Sequence, residues 1–298
     1  MADQKLFGKV VVITGASSGF GRGSAIRFSE MGATVVLGAR RGEVLEEVAA
    51  ECNAAGGRGL PVAIDVSRQS DVMLLAERTI SEFGRIDVWC NIAGAGAIGR
   101  FEDVPLEDHV KVIETDLLGT LYGSYFAMRQ FRAQNAGTLI NMASLAGEVP
   151  APYFASYAAA KHGVVGLSAA LRQELSQEKI ETIHVCTVKP TTFDTPFFEH
   201  AARYTGHEAC PIPPTYDPKE VVDAVVDLAL NPKNEVSVGT AAKVFHLAHH
   251  LFPGVVEALV ARRTRKAEFD DARPGEPSSA SLHESKPGGT EVRGGWKK

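Results

Sequence analysis

Short apolar runs rich in β-branched residues recur along the chain, and longer stretches with helical periodicity separate them. The runs are almost continuously apolar rather than alternating, which is typical of strands that helices cover on both faces. Regular alternation of strand and helix therefore predicts an α/β fold with a parallel, doubly wound sheet of about seven strands. The predicted strands cover residues 10–13, 34–37, 60–64, 87–90, 138–141, 184–188 and 236–238. The predicted helices cover residues 21–31, 44–55, 71–83, 106–131 and 156–175.

Two segments depart from this alternation. Residues 191–218 are dense in Pro, Thr, Phe and Tyr, and a loop of that length inside a compact domain is often a functional lid. Two further helices are predicted over 241–252 and 255–266, and the remaining residues are rich in Pro, Gly, Ser and charge. The sequence thus predicts one domain over 1–240, a helical extension over 241–266 and a disordered tail over 267–298.

Composition excludes several classes of protein. With 45% hydrophobic residues the chain can form a core, and a net charge of −5 disfavours a general polyanion binder. The four cysteines are far apart without a CxxC pair, which argues against a disulfide scaffold or a structural zinc site. His246, His249 and His250 share helical spacing, but no carboxylate or cysteine stands near them in sequence, so we predict no metal. No signal-peptide or membrane-spanning pattern is present, and we expect a cytoplasmic protein.

A glycine-rich loop follows the first predicted strand and precedes a helix. Its residues are Gly15, Ser17, Ser18, Gly19, Phe20 and Gly21, with the spacing G-x-x-x-G-x-G. Glycines allow the backbone to approach a ligand closely, and a helix N-terminus offers free N–H groups to a pyrophosphate. The loop therefore favours a dinucleotide site, although an ordinary tight turn between strand and helix would also explain it.

Two arginines follow the second predicted strand. An acid at this position binds a ribose 2′-hydroxyl in dinucleotide-binding folds, whereas an arginine accommodates a 2′-phosphate. Here the strand ends on Ala39, and Arg40 and Arg41 offer two guanidinium groups for phosphate. Together with the glycine loop they favour NADP(H) over NAD(H), while the alternative is a solvated helix start.

Tyr157 and Lys161 are separated by four residues in a predicted helix, so they share one face. A nearby ammonium group favours the phenolate and lowers the pKa of a tyrosine, which would suit Tyr157 to proton transfer. Taken alone, the pair would more often lie on a helix surface.

In combination these motifs resemble the classical short-chain dehydrogenase/reductase family over about residues 5–240. The resemblance includes the loop at 14–21, Asp65 and Val66 after the third strand, and Asn91, Ala93 and Gly94 after the fourth. It also includes Ser144, the Tyr157–Lys161 pair, and Pro190 with Thr195 after the sixth strand. It implies a Rossmann-type sheet and a homodimer or homotetramer.

The resemblance also implies a role for each site residue. Ser144 would orient the substrate oxygen, Tyr157 would act as acid and base, and Lys161 would tune Tyr157 and hold the nicotinamide ribose. Asp65 and Val66 would lie near the adenine, and Asn91, Ala93 and Gly94 would line the cofactor. Pro190, Phe193 and Thr195 would lie near the nicotinamide.

Three positions depart from the family pattern. Ile92 replaces an asparagine and Thr191 replaces a glycine. Asp116 stands where the family has a fourth catalytic residue, an asparagine, and an ionised aspartate only accepts hydrogen bonds.

The expected function is NADP(H)-dependent interconversion of a carbonyl and an alcohol on a small molecule, and the aromatic residues of the lid suggest an apolar one. One alternative is a cofactor-binding regulatory protein without turnover, which Asp116 keeps open. Another is a reductase of lipid-derived substrates, held at a membrane surface by the basic cluster over 262–266. We predict no nucleic-acid partner.

Overall fold

A computed structural model describes residues 5–240, 248–249 and 251–297. Within this part of the chain, seven parallel strands form one sheet, and two short strands in loops pair with each other. The strands are β1 (Val10–Thr14), β2 (Thr34–Ala39), β3 (Arg58–Ala63), β4 (Val88–Asn91), β5 (Ala97–Ile98), β6 (Gly137–Met142), β7 (Ile183–Pro190), β8 (Ala202–Arg203) and β9 (Glu235–Val238). The sheet order is β3-β2-β1-β4-β6-β7-β9, and β5 pairs with β8.

Helices cover both faces of this sheet. The helices are α1 (Gly19–Glu30), α2 (Gly42–Ala54), α3 (Gln69–Phe83), α4 (Leu106–Ile113), α5 (Gly119–Gln134), α6 (Ala155–Gln177), α7 (Phe197–His200), α8 (Lys219–Leu230) and α9 (Pro253–Arg265). A π-helical turn (Glu114–Leu118) joins α4 to α5, a second (Lys266–Asp270) follows α9, and a 3-10 turn (Leu145–Gly147) follows β6. One buried apolar cluster joins the sheet to α1, α2 and α8, and another joins it to α3, α5 and α6.

The doubly wound parallel sheet predicted from the apolar runs is confirmed, with all seven strands at the predicted places. The strand order reverses between β1 and β4, and at such a point the loops at the carboxyl ends of the strands diverge and leave a crevice. Because β1 and β4 are buried along their whole length, their loops are held at fixed positions above this crevice.

Some elements were not predicted. Helix α8 is absent from the sequence prediction, although its buried valines recur at helical spacing, at 221, 222, 225 and 226. Strands β5 and β8 are two residues long, too short for any periodicity to reveal them. The predicted helix over 241–252 lies mostly outside the described residues, as do His246 and His250.

The C-terminal segment differs most from its prediction as a disordered tail. Residues 272–297, here called the C-terminal strap, run along the domain with two isolated bridges, at Pro274 and Ser278. The strap has too few apolar residues to form a core of its own, but its backbone carbonyls pair with arginines of the domain. Among the described residues, no helix combines the length and apolar content needed to cross a bilayer.

Candidate active site

The loop between β1 and α1 is the first wall of the crevice. Gly15 has a φ of +75°, and a Cβ atom there would lie 2.7 Å from the Cα of Ala93 in the loop after β4. Gly19, at the start of α1, has a φ of +52°. Glycine is required at these positions because a side chain would strain the backbone or separate the two loops.

Two adjoining cavities lie along the carboxyl ends of the strands. The larger has a volume of about 320 Å³, and the smaller one about 120 Å³. The predicted site residues in the wall of the larger cavity are Ser18, Gly19, Phe20, Gly21, Arg40, Gly94, Ser144, Tyr157, Lys161, Pro190, Phe193 and Thr195. Those in the wall of the smaller cavity are Gly15, Ser17, Ser18, Arg40, Arg41, Asp65, Val66, Ala93 and Gly94.

The tyrosine and lysine lie on α6, where their spacing turns both side chains toward the end of β6. Lys161 Nζ donates to the carbonyl of Met142 at 3.1 Å and lies 5.5 Å from the centroid of the Tyr157 ring. Ser144 lies two residues beyond the end of the same strand, and its hydroxyl accepts from the Ala146 N–H at 3.1 Å, which holds the side chain in place. One strand end and one helix thus bring together a hydroxyl, a phenol and an ammonium group.

The pKa of Tyr157 is raised, which differs from the lowering expected from Lys161 alone. Burial of the phenol is the main cause, because it disfavours the charged phenolate. Lys161 and a hydrogen bond from Ser144 lower the pKa, but the negative charge of Asp116 opposes them. The net effect of these surroundings is therefore to favour the neutral phenol of Tyr157.

Asp116 lies in the π-helical turn between α4 and α5 and is fully buried. Its Oδ1 accepts from the Ala95 N–H at 2.7 Å, and its Oδ2 is 3.4 Å from Lys161 Nζ. Burial raises the pKa of this carboxyl, and Lys161 lowers it in part. The aspartate thus forms an ion pair with the lysine behind Tyr157.

The basic pair after β2 borders the smaller cavity. Arg41 Nη2 donates to the hydroxyl of Ser17 at 3.0 Å, which links the arginine to the glycine loop. Arg40 is exposed at the mouth of both cavities. Across the smaller cavity, Asp65 accepts from Ser67 and pairs with Lys111 at 3.3 Å. These contacts outweigh the effect of burial and lower the pKa of Asp65.

Among the predicted cofactor residues, Asn91 lines neither of the two cavities. Its side chain is buried, accepts from the Trp89 indole at 2.8 Å and donates to Asn141 at 2.8 Å. Asn91 therefore braces β4 against β6 behind the cavities.

Phe193 packs edge-on against Phe20, with ring centroids 5.6 Å apart, so the lid contacts the glycine loop.

The end of the larger cavity beyond Tyr157 is apolar, and it contains Phe197 and Phe198 of the predicted lid. The other apolar residues of this end were missed by sequence reasoning, and they are Val149, Ala151, Phe154, Ile212 and Val260. His200 borders both cavities, and burial together with the charges of Arg41 and Arg40 lowers its pKa. Ser281 of the strap also lines both cavities, although its contacts with residues far earlier in the chain leave no local sequence signal.

The sequence model of the short chain dehydrogenase family matches residues 9–204, about two thirds of the chain. The chain belongs to the short-chain dehydrogenase family. It is 34% identical to the oxidoreductase YxnA of Bacillus subtilis (strain 168) over 280 residues, which cover 93% of this chain and 78% of YxnA. It is 30% identical to the 3-oxoacyl-acyl-carrier-protein reductase FabG of Thermotoga maritima, covering 78% of this chain and 95% of FabG.

A solved structure shares the architecture of this short-chain dehydrogenase. A metagenomic short-chain oxidoreductase in complex with NADP aligns with a TM-score of 0.66 and 30% identity, covering 78% of this chain and 97% of that one. The protein is thus an oxidoreductase of a family that binds a nicotinamide cofactor and acts on small molecules. The glycine loop, in which Gly15 has no room for a side chain, suits a dinucleotide, and so do the two cavities that meet at Ser18.

Proposed function

We propose that this short-chain dehydrogenase uses NADP(H) to interconvert a carbonyl and an alcohol on an apolar small molecule. The observation that carries the proposal is the continuous crevice that runs from Arg40 and Arg41, past the glycine loop, to Ser144, Tyr157 and Lys161. The arginines at one end suit the phosphates of the cofactor, and the hydroxyl, phenol and ammonium groups at the other end suit proton transfer to the substrate.

The side chains at the reactive end have separate tasks. The nicotinamide would supply or accept the hydride. The Ser144 hydroxyl, held at the end of β6, donates a hydrogen bond to the substrate oxygen and orients it. Tyr157 transfers its phenolic proton to that oxygen during reduction and takes it back during oxidation. Lys161 stabilises the phenolate and would hold the ribose of the cofactor, and the apolar wall excludes water from the substrate.

NADP(H) is preferred because positive charge borders the adenosine end. Arg40→Ala removes a charge-assisted hydrogen bond of about 1.5–3 kcal/mol, so it should weaken NADPH binding about 10- to 100-fold and NADH binding far less. Arg58→Ala, at an exposed arginine on β3, is the matched control. Fluorescence titration measures both cofactors, and an equal loss for NADPH and NADH would refute the assignment of the 2′-phosphate.

A screen of ketones and alcohols with NADPH and NADP tests the reaction itself. The proposal predicts turnover of at least one carbonyl compound with an apolar substituent. Cofactor binding without hydride transfer to any compound would favour the alternative of a regulatory protein, with the Asp116–Lys161 pair as the departure that disables catalysis.

A reductase at a membrane surface is the second candidate. Leu251, Phe252 and Val255 are 63%, 62% and 70% exposed at the start of α9, and the exposed Arg262 and Arg265 lie near its end. Apolar and basic residues on one short helix suit a surface of anionic lipid. Flotation with anionic vesicles tests this candidate, and a protein that stays with the bulk solution would exclude it.

An exposed apolar face supports the homodimer or homotetramer that the resemblance implies. Leu106, Val110, Leu121 and Tyr125 are large apolar residues on α4 and α5, and each is at least 40% exposed. Burial of such a patch between copies would stabilise a homodimer or homotetramer. Light scattering after gel filtration measures the mass, and a monomer would refute it. The cytoplasmic location stays a prediction.

A further inference from the structure

The C-terminal strap crosses the crevice at its phosphate-binding end, and its backbone oxygens take the donors that a phosphate would use. Arg40 donates to the carbonyls of Ser281 and Leu282 at 2.6 and 3.0 Å. Arg41 donates to the carbonyl of Gly288 at 2.8 Å. These guanidinium groups are therefore already engaged within the chain.

The same pattern continues at the start of α1. The Gly19 N–H donates to the carbonyl of Glu291 at 2.9 Å, and Arg22 donates to the carbonyl of Thr290 at 3.0 Å. The first N–H groups of a helix are free of helical partners and bind anions well. Carbonyl oxygens of one continuous stretch of the strap, residues 281–291, thus accept hydrogen bonds from three arginines and from the N-terminus of a helix.

Side chains hold the strap at both ends of this stretch. His283 Nε2 lies 2.6 Å from the carboxylate of Asp108, a buried residue that also accepts from Tyr204. Beyond the stretch, Arg293 pairs with Asp217 at 2.5 Å, and the backbone N–H of Trp296 donates to the carboxylate of Asp194 at 2.7 Å. The strap is therefore bound by its own anchors as well as by the arginines.

We propose that residues 281–291 act as an internal ligand of the phosphate-binding groups, so that a cofactor phosphate and the docked strap compete for the same donors. This inference rests on the proposed NADP(H) function. Amide carbonyls are neutral acceptors, whereas a phosphate carries negative charge and can form bidentate ion pairs with the guanidinium groups, so it can displace the carbonyls. The strap has the advantage of being tethered, with an effective concentration of the order of millimolar.

Competition of this kind has a calculable effect. If the donors are free in only a fraction of molecules, the apparent Kd for a phosphate ligand rises by the inverse of that fraction. A strap docked in about 70–90% of molecules would weaken binding about threefold to tenfold. Variants that cannot dock the strap should recover this factor.

Substitution of two glycines should release the strap without changing the arginines and the N–H group that donate to it. A Cβ atom on Gly294 would collide with the backbone oxygen of Thr195. One on Gly289, whose φ is +65°, would collide with the ring of His200. Gly288 is the matched control, because its Cβ would find open space and its φ is not in the left-handed region. The three positions lie in one short segment and receive the same substitution, to Ala.

The experiment is calorimetric titration of the full chain and the three variants with 2′,5′-ADP, a probe with both phosphates and no nicotinamide. Gly294→Ala and Gly289→Ala should lower the apparent Kd about threefold to tenfold, and Gly288→Ala should leave it unchanged. Addition of 2′,5′-ADP to the wild-type chain should also speed hydrogen exchange of amides in 281–291. Equal affinities in all four proteins, or slower exchange in the strap, would overturn the competition.

The outcomes separate this inference from the proposed function. Tighter binding of 2′,5′-ADP by the two release variants, in a protein that turns over no carbonyl or alcohol, would refute the proposed reaction and support the strap. Turnover with NADPH, together with equal affinities for 2′,5′-ADP, would support the reaction and overturn the strap. Lack of binding in all four proteins would overturn both the strap and the preference for NADP(H).

Discussion

Replacement of Asp116 by asparagine is the perturbation with the clearest electrostatic consequence. The carboxylate is fully buried, accepts from the Ala95 N–H and forms an ion pair with Lys161. An asparagine side chain keeps an oxygen for the Ala95 N–H but carries no charge. Asp116→Asn therefore removes a negative charge behind Tyr157 with little change in shape, and the positive charge of Lys161 then acts on the phenol unopposed.

The structure sets the size of this effect. Lys161 Nζ lies 3.4 Å from the carboxylate and 5.5 Å from the centroid of the Tyr157 ring, so the carboxylate is within about 9 Å of the ring. At that distance and an effective dielectric constant of about 20, one unit charge contributes about 1.8 kcal/mol, or about 1.3 pKa units. We expect the pKa of Tyr157 to fall by about this amount in the variant.

The assay is the pH dependence of kcat/KM for alcohol oxidation with NADP. In the proposed reaction, oxidation needs Tyr157 deprotonated, so the rate should rise with pH to a plateau, and the midpoint of the rise should report the pKa of the phenol. Asp116→Asn should move this midpoint about one unit toward acid. Asp87→Asn removes a carboxylate at the amino end of β4, opposite the strand ends that form the crevice, and should leave the midpoint in place. An unmoved midpoint in Asp116→Asn would refute the electrostatic reasoning.

Two further predictions concern stability. Burial raises the pKa of Glu268 to about 8, whereas an unfolded glutamate titrates near about 4.3, so the folded state binds the proton more tightly. The free energy of unfolding should therefore fall by up to about 5 kcal/mol as the pH rises from about 4 to 8. In Glu268→Gln, the free energy of unfolding measured with urea should depend less on pH. An unchanged dependence on pH would show that the Glu268 carboxyl is not its cause. Gly15→Ala should lower the free energy of unfolding by about 2 kcal/mol or more, because it strains the backbone and meets Ala93. Gly166→Ala in α6, where a Cβ meets nothing within 4 Å, should leave it equal or raise it by up to about 1 kcal/mol, and equal losses would contradict the contact argument.

The sheet and the shared position of Tyr157 and Lys161 on one helix could be predicted because their signals are local. The apolar run of β1 leads directly into the glycine loop, and Tyr157 and Lys161 are four residues apart on one helix. Such patterns can be recognised from the sequence, since strand burial and helical spacing depend on residues close together in the chain.

The strap and the balance of charges at Tyr157 could not be predicted in the same way. Trp296 binds Asp194, about a hundred residues earlier, and no local pattern encodes such a pair. The pKa of Tyr157 depends on burial and on Asp116, a residue of a different helix that reaches it only through the tertiary fold. The contact of Asn91 with Asn141 could not be predicted for the same reason, because Asn141 lies on a separate strand.

The most direct test of the central claim is the rate of carbonyl reduction by Tyr157→Phe, followed by the loss of NADPH absorbance with a carbonyl compound that the wild-type chain reduces. Loss of the phenolic proton should lower kcat by about two to four orders of magnitude. NADPH affinity should stay within a few-fold, because the ring and Lys161 remain. Tyr153→Phe, at the nearby tyrosine that contacts Phe269, should retain wild-type kcat. A kcat in Tyr157→Phe within tenfold of wild type would contradict the account.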